Sequence, residues 1–334
     1  MSNTPIKIVS LGKAVPKTVI TNDDLTKILD TSDEWITTRT GIKQRHIASG
    51  NENSFTLGTS AAKEALQKGN LKGEDIDLII AATSNPYNIY PSTACAISEA
   101  IETKTGTVAF DITAACTGMI YAIEIARSMI SSGKYNRALL VATDTVSKFL
   151  NWEDRSSCVL FGDGASAMIL EKSQDGIDDI IAIDINADGK QGKHITMHLN
   201  GDNCPLVEKA ELANEKVMMN GREVYKFVVT TMPESVNNCI ENCGLKPEDI
   251  DYLIPHQANL RIIDALQQRL NYTDEKVITN IDKYGNTSAA SVGIALSEAI
   301  EQGKVKTPST AVLCAFGAGM TWGSVIVRLR EGIY

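Results

Sequence analysis

The chain has 334 residues, room for one large or two similar domains. Hydrophobic residues make up 43% and charged residues 22%, and the net charge is −9 with no Lys/Arg run, which argues against nucleic-acid binding. No stretch reaches the ~18–20 apolar residues that span a bilayer, and seven scattered cysteines without a CxxC pair point to reduced thiols and the cytoplasm.

The opening residues lack a basic region followed by a long apolar run, so they read as a first strand, Ile6–Leu11, and not as a signal peptide. Apolar runs rich in β-branched residues then alternate with amphipathic stretches. Helix Thr56–Lys68 leads to strand Leu78–Thr83, helix Ser92–Ile101 to strand Thr107–Asp111, and helix Cys116–Ser131 to strands Ala138–Thr143 and Ala165–Leu170. Further on come helix Gly221–Cys243, strand Tyr252–Pro255, helices Asn259–Leu270 and Ser288–Gln302, and strands Ala311–Ala315 and Val325–Leu329. This alternation predicts an α/β fold with a mostly parallel sheet.

The sequence also echoes itself. Glu74-Asp-Ile-Asp-Leu-Ile-Ile80 resembles Glu248-Asp-Ile-Asp-Tyr-Leu-Ile254, and each follows a short turn containing Gly and Leu-Lys. Ala115-Cys-Thr-Gly118 is matched by Gly285-Asn-Thr-Ser288, and Phe161-Gly-Asp-Gly-Ala165 by Phe316-Gly-Ala-Gly-Met320. Three pairs in one order argue for duplication of a five-stranded α/β unit, with the boundary near Lys172 to Ile177. The period is far too long for a solenoid.

Cys116 falls where a strand turns into a helix. There the positive end of the helix dipole favours thiolate over thiol, and Ala114, Ala115 and Gly118 leave room for a substrate. For a lone cysteine the plainer reading is a core residue; Cys239 and Cys243, four apart on one helix, read that way. His256 follows a strand, at the edge where open α/β sheets hold ligands, and there it is a hydrogen-bond donor, a base or a turn residue. Asn286 occupies in the second half the place of Cys116 in the first, and it is also suited to capping the next helix. Gly317-Ala-Gly-Met-Thr-Trp-Gly323 is a glycine-rich turn between strands, able to bring backbone N–H groups to an oxyanion. It is no dinucleotide fingerprint, because a strand follows it and not a helix; Gly162-Asp-Gly164 fails the same test. His194 and His198 have metal-compatible spacing but no evident third ligand, so no metal is expected.

Together these residues resemble β-ketoacyl-acyl-carrier-protein synthase III of the thiolase superfamily. The likeness runs through Thr31-Ser-Asp-Glu-Trp-Ile-Thr-Thr-Arg-Thr-Gly-Ile42, Asp111-Ile-Thr-Ala-Ala-Cys-Thr-Gly118, Phe161–Ala165, Pro255-His-Gln-Ala-Asn-Leu-Arg261, Gly285-Asn-Thr-Ser-Ala-Ala-Ser291 and Phe316–Gly323. Asn286 fits the Cys-His-Asn set of that family, where elongating synthases carry Cys-His-His. The resemblance implies a thiolase-like fold: two duplicated βαβαβαββ halves, 1–174 and 175–334, packed as a five-layered α-β-α-β-α pseudo-dimer.

It also implies a ping-pong reaction. Cys116 takes the acyl group of a short acyl-coenzyme A, acetyl foremost, with the N–H groups of Cys116 and Ala318 as the oxyanion hole. His256 and Asn286 then stabilise the enolate formed as malonyl-acyl-carrier protein loses carbon dioxide. Coenzyme A enters as a substrate thioester, and no separate cofactor is expected. Trp35 and Arg155 match an adenine sandwich with Arg39 and Thr31 beside it, and Asn259 matches a pantetheine contact. Lys226 and Arg261 match a carrier-protein docking patch, and Tyr90 matches the end of the partner subunit's acyl pocket in a homodimer. Ala318 and Met320 stand where relatives carry Gly and a Phe or Leu. The polar stretch Lys190–Lys216 fits the family poorly and leaves the acyl preference open. The competing readings are a relative using another acyl primer, a Cys116-dependent thioesterase, a non-catalytic interaction protein and a dinucleotide-dependent dehydrogenase.

Overall fold

The computed structural model describes residues 4–198, 206 and 215–333. Two sheets carry the fold. The first runs in the spatial order Ile6–Ala14, Gly164–Lys172, Arg137–Asp144, Leu78–Ala82, Val108–Ile112, and the second in the order Tyr252–Pro255, Ser309–Gly317, Thr321–Leu329, Ile180–Ala187.

Period-two alternation decides what each strand buries. Leu78, Ile80 and Ala82 face a core between the sheets, whereas Ile79 and Ala81 face the outer helices Ser54–Lys68 and Thr93–Ala100. In the second sheet Ala311, Leu313 and Ala315 face inward, while Val312, Cys314 and Phe316 pack against Gly221–Asn242 and Leu260–Leu270. The central layer is formed by helices Gly118–Ser131 and Ser291–Glu301, through Met119, Ile120, Ile123, Val292, Ala295 and Leu296. Each fully buried Ile or Leu here contributes about 1.5–3 kcal/mol. The layers therefore run helix, sheet, helix, sheet, helix, a thiolase-like α/β fold.

The sheets are not mostly parallel. Only Leu78–Ala82 with its two neighbours, and Tyr252–Pro255 with Ser309–Gly317, pair in parallel; the other four pairings are antiparallel. For the pair Ser309–Gly317 and Thr321–Leu329 the reason is connection length: a three-residue turn is too short for a crossover. The second sheet also has four strands among the described residues and not five. Beyond Tyr252–Pro255, at the edge of that sheet, there is one bridge, Leu253 to Val277. The Gln257 side chain supplies the missing pairing, donating to the Ile278 carbonyl at 3.2 Å and accepting from Asn280 N–H at 3.0 Å.

Several elements lie outside the expected set. Strand Ile180–Ala187 edges the second sheet, Thr18–Thr21 pairs with Gln44–Ile47, and helix Asp33–Thr40 carries Trp35 and Arg39. That helix ends at Gly41, whose φ of 78° lies in the left-handed region and whose missing Cβ admits Leu260. No helix among the described residues is long and apolar enough to cross a membrane.

Candidate active site

A cavity of about 1500 Å³ opens between the two halves of the chain, and Cys116, His256 and Asn286 all line it, together with Ala318. Each is placed by the end of a sheet strand or by the turn after one.

Cys116 follows strand Val108–Ile112 on a single 3₁₀ turn, Ala115–Thr117, that leads into helix Gly118–Ser131. The turn is pinned by close approach. A Cβ on Gly317 would lie 2.7 Å from Cys116 N, and one on Gly118 would lie 2.8 Å from the Ala82 Cβ. Thr117 Oγ1 meets Thr321 Oγ1 at 2.8 Å, which ties this turn to the Gly317–Thr321 hairpin. The Cys116 Sγ lies 3.4 Å from Ser288 Oγ. Burial pushes the thiol up to about 12, against a smaller lowering by the Ser288 hydroxyl. Desolvation thus opposes the lowering expected from the helix start, at a residue that keeps partial exposure to the cavity.

His256 stands just past strand Tyr252–Pro255 and extends its pairing, donating its N–H to the Cys314 carbonyl at 2.8 Å. Its Nδ1 lies 2.5 Å from Ser291 Oγ, and its ring meets Phe316 edge-on at 5.2 Å. Nε2 is buried with no protein partner. Burial alone pulls the imidazole down to about 3, so the ring is neutral. Ser291 Oγ also accepts from Gln257 N–H at 3.4 Å; with the Ser291 hydroxyl donating to Nδ1, the proton of the neutral ring sits on Nε2.

Asn286 is held by its backbone, donating to the Leu160 carbonyl at 2.8 Å and accepting from Gly162 N–H at 3.0 Å. Its Oδ1 accepts from Ser288 N–H at 2.8 Å, so the amide both caps the following turn and keeps Nδ2 as a donor for a ligand. Gly285 makes this possible: its φ is 61°, and a Cβ there would lie 2.9 Å from the Leu160 carbonyl oxygen. Beneath these turns Arg45 is fully buried and donates to the Ile20 and Val159 carbonyls and to Asn22 Oδ1.

The remaining expected residues divide. Trp35, Arg39, Asn259 and Arg261 line the cavity; Thr31, Tyr90, Arg155 and Lys226 are not among its lining residues. The Arg39 and Arg155 guanidinium carbons lie 4.6 and 5.1 Å from the Trp35 ring centroid. Asn259 caps helix Leu260–Leu270 through Arg261 N–H at 2.9 Å. Thr31 has a buried hydroxyl without a partner. Lys226 is exposed and pairs with Glu223 at 2.7 Å. Tyr90 is 86% exposed on a protruding loop with Tyr87 and Ile89.

Ile195–Thr196 pairs with Met218–Met219, and Ile195 to His198 border the cavity; much of the polar stretch between, with Cys204, lies outside the described residues. The other six cysteines are free thiols, and no cluster of three metal-ligating side chains occurs among the described residues. Sequence reasoning missed Asp144, Ser288, Ser291 and Phe316 as site residues. The last three sit inside motifs already singled out, so position in the motif was the available signal; Asp144 had none.

The fold defines the class: a thiolase-like condensing acyltransferase. Residues 110–189 match the profile of 3-oxoacyl-[acyl-carrier-protein] synthase III, and residues 240–329 match that of its C-terminal region. The chain is 49% identical over 323 residues to the β-ketoacyl-[acyl-carrier-protein] synthase III of Aquifex aeolicus, covering 96% of this chain and 99% of that one. Among solved structures it resembles the 3-oxoacyl-(acyl carrier protein) synthase III of Pseudomonas aeruginosa PAO1, with 38% identity, a TM-score of 0.90 and coverage of 98% and 99%. It also resembles the priming β-ketosynthase of the R1128 polyketide pathway, with 30% identity, a TM-score of 0.91 and coverage of 99% and 98%. The chain belongs to the 3-oxoacyl-[acyl-carrier-protein] synthase III family.

Proposed function

We propose that this protein condenses a short acyl-coenzyme A, acetyl-coenzyme A foremost, with malonyl-acyl-carrier protein and so begins a fatty-acid chain. The observation that carries the reading is the junction of Cys116, His256 and Asn286 on one cavity, with His256 Nε2 buried and unpartnered.

In the first half-reaction Cys116 Sγ attacks the thioester carbonyl, and the N–H groups of Cys116 and Ala318 receive the oxyanion. The contact of Gly317 with the Cys116 turn supports this pairing of the two loops. Coenzyme A leaves. In the second half-reaction His256 Nε2–H and Asn286 Nδ2–H donate to the malonyl thioester carbonyl as carbon dioxide departs. Neutral donors suit an enolate, whose charge appears only in the transition state. The carbanion attacks acyl-Cys116, the C–Sγ bond breaks, and the departing Cys116 thiolate takes up one proton from solvent to restore the thiol. A thioesterase has no use for that second donor pair.

Trp35 with Arg155 serves the adenine, which must displace the Arg155 guanidinium from the ring to stack there. Arg39 and Thr31 flank it, Asn259 serves the pantetheine arm, and Lys226 and Arg261 dock the acidic carrier protein. The exposed Tyr87, Ile89 and Tyr90 suit a homodimer in which Tyr90 closes the partner's acyl pocket. The two sheets draw on residues 6–172 and 180–329, which supports halves 1–174 and 175–334. We place the enzyme in the cytoplasm, without a separate cofactor. A second reading keeps the same mechanism with an acyl primer longer than acetyl.

The test is radiolabelled acetyl-coenzyme A followed by malonyl-acyl-carrier protein, with Cys116→Ala alongside. Label bound only to the wild type and chased into a β-ketoacyl-carrier protein is the expected result. Label released as free acetate supports the thioesterase, and labelling only by longer acyl-coenzyme A substrates supports the second reading.

A further inference from the structure

The Cys116 proton needs a destination, and the helix start does not provide one, because desolvation favours the thiol. His256 is poorly suited as the acceptor: its Nδ1 engages Ser291, and burial makes the ring a weak base. The group in contact with Sγ is the Ser288 hydroxyl, at 3.4 Å. Next to Ser288 lies the carboxyl of Asp144, which accepts from the N–H of the following residue, Ala289, at 3.2 Å and has no exposed surface.

Ser288 is an unusual choice for its backbone. Its φ is 52°, in the left-handed region where glycine is easier, and its N–H is fixed by Asn286 Oδ1 at 2.8 Å. A serine held there against its backbone preference points to use of the hydroxyl. Asp144 ends strand Arg137–Asp144 and is fixed on both oxygens. Oδ1 accepts from Ser84 N–H at 2.8 Å and Thr83 Oγ1 at 3.3 Å, and Oδ2 accepts from Ala289 N–H at 3.2 Å. The groups facing it are thus Thr83 and Ser84 from the end of the neighbouring strand, Ser288 and Ala289 from the turn before helix Ser291–Glu301, and Cys116, with whose thiolate it interacts unfavourably.

We propose that Ser288 and Asp144 form a proton relay that takes the Cys116 proton during acyl transfer. As the Sγ–C bond forms, the thiol proton passes to Ser288 Oγ while the Ser288 hydroxyl proton passes to the Asp144 carboxylate. The tetrahedral adduct then collapses, the substrate's C–S bond breaks, and the leaving thiolate recovers the proton by the reverse path. Asp144 is left ionised, and the half-reaction neither gains nor loses a proton. Burial raises the Asp144 carboxyl to about 6, close enough to neutrality to accept and return a proton, and it is ionised above that pH.

The substrate in this scheme rests on the acyl-Cys116 reading, but the test does not. Cys116 is alkylated with iodoacetamide from pH 4.5 to 8 and followed by intact mass, with Cys116→Ser fixing the site. In the wild type the rate is expected to rise through an inflection near pH 6, where Asp144 ionises. In Ser288→Ala, Ser288→Gly and Asp144→Asn the inflection is expected to vanish and the rate at pH 7 to fall roughly a hundred-fold. Ser288→Gly relieves the backbone, so its thermal midpoint should not drop, which separates lost chemistry from lost structure. A Ser288→Gly protein that folds and keeps the wild-type profile overturns the relay. So does one that reacts more slowly with the inflection intact, since another base is then responsible. If acetyl-coenzyme A fails to acylate Cys116 while the alkylation profile behaves as expected, the acyl-transfer reading falls and the relay stands.

Discussion

The two helix starts that meet at the cavity are built alike and equipped differently. Each is a 3₁₀ turn leading into a helix of the central layer, Ala115–Thr117 into Gly118–Ser131 and Ser288–Ala290 into Ser291–Glu301. Each contains a residue other than glycine at positive φ, Ala115 at 45° and Ser288 at 52°. The first places a thiol beside a second-half hydroxyl; the second places amide and hydroxyl donors, fixed by the chain before it. The likeness reaches farther out. Lys72 N–H bonds Asp75 and Lys246 N–H bonds Asp249, both at 2.8 Å, and a strand of each sheet follows. The comparison teaches that one scaffold supplies position twice, and the proposed chemistry divides along it: the nucleophile from the first half, the enolate donors from the second.

The sharpest way to break that division is to remove the second-half donors. His256→Ala is expected to lower condensation by about 10²–10³-fold, with burst labelling of Cys116 by acetyl-coenzyme A close to wild type. Equal loss of both half-reactions would merge the two roles. The pH dependence carries the same contrast. His256 is held down to about 3, so the ring stays neutral and condensation measured from pre-formed acyl-enzyme should not lose rate as pH falls from 8 to 5. A ring with its ordinary value would charge through about 6.5 and lose rate over that range. The contribution of this histidine to stability has the matching sign. Its folded value lies below the unfolded one, so stability is complete above about 6.5 and declines as pH falls from there toward 3.

The glycines offer a smaller and paired test. Gly317→Ala presses a methyl within 2.7 Å of Cys116 N, and Gly285→Ala presses one within 2.9 Å of the Leu160 oxygen that holds Asn286. The first is expected to cut acylation roughly ten- to hundred-fold and the second to cut condensation by a similar factor. Half-reaction rates for the two variants check this. A Gly285→Ala protein that loses acylation instead would mean that the turns act as one unit.

How much of this was legible depended on whether the signal was local. Cys116, His256 and Asn286 were visible because each sits at a strand end or helix start, and turn chemistry is written in a few adjacent residues. The repeat was visible because Glu-Asp-Ile-Asp builds the same turn before both strands. Strand Ile180–Ala187 went unread although apolar and polar residues alternate along Ile183-Asp-Ile-Asn186. The absent fifth strand was not legible, since a distant Gln257 side chain replaces its hydrogen bonds. Asp144 and the state of the Cys116 thiol were hidden for the same reason. The helix dipole belongs to the segment, but burial belongs to the whole fold, and burial sets both groups.

The mildest test follows the division out to the surface. The residues proposed for coenzyme A, Trp35, Arg39 and Arg155, belong to the half that carries Cys116. Those proposed for the carrier protein, Lys226 and Arg261, belong to the half that carries His256 and Asn286. Each substrate then enters over the half that performs its step. Lys226 is exposed and its partner Glu223 lies on the same helix, so Lys226→Ala should leave the thermal midpoint unchanged. It should raise the KM for malonyl-acyl-carrier protein a few-fold at low salt, with the difference shrinking as salt screens the encounter. The rate of Cys116 labelling by acetyl-coenzyme A should not move. A variant that instead weakens acetyl-coenzyme A would show that the surface is shared, and that the division of labour stops at the cavity wall.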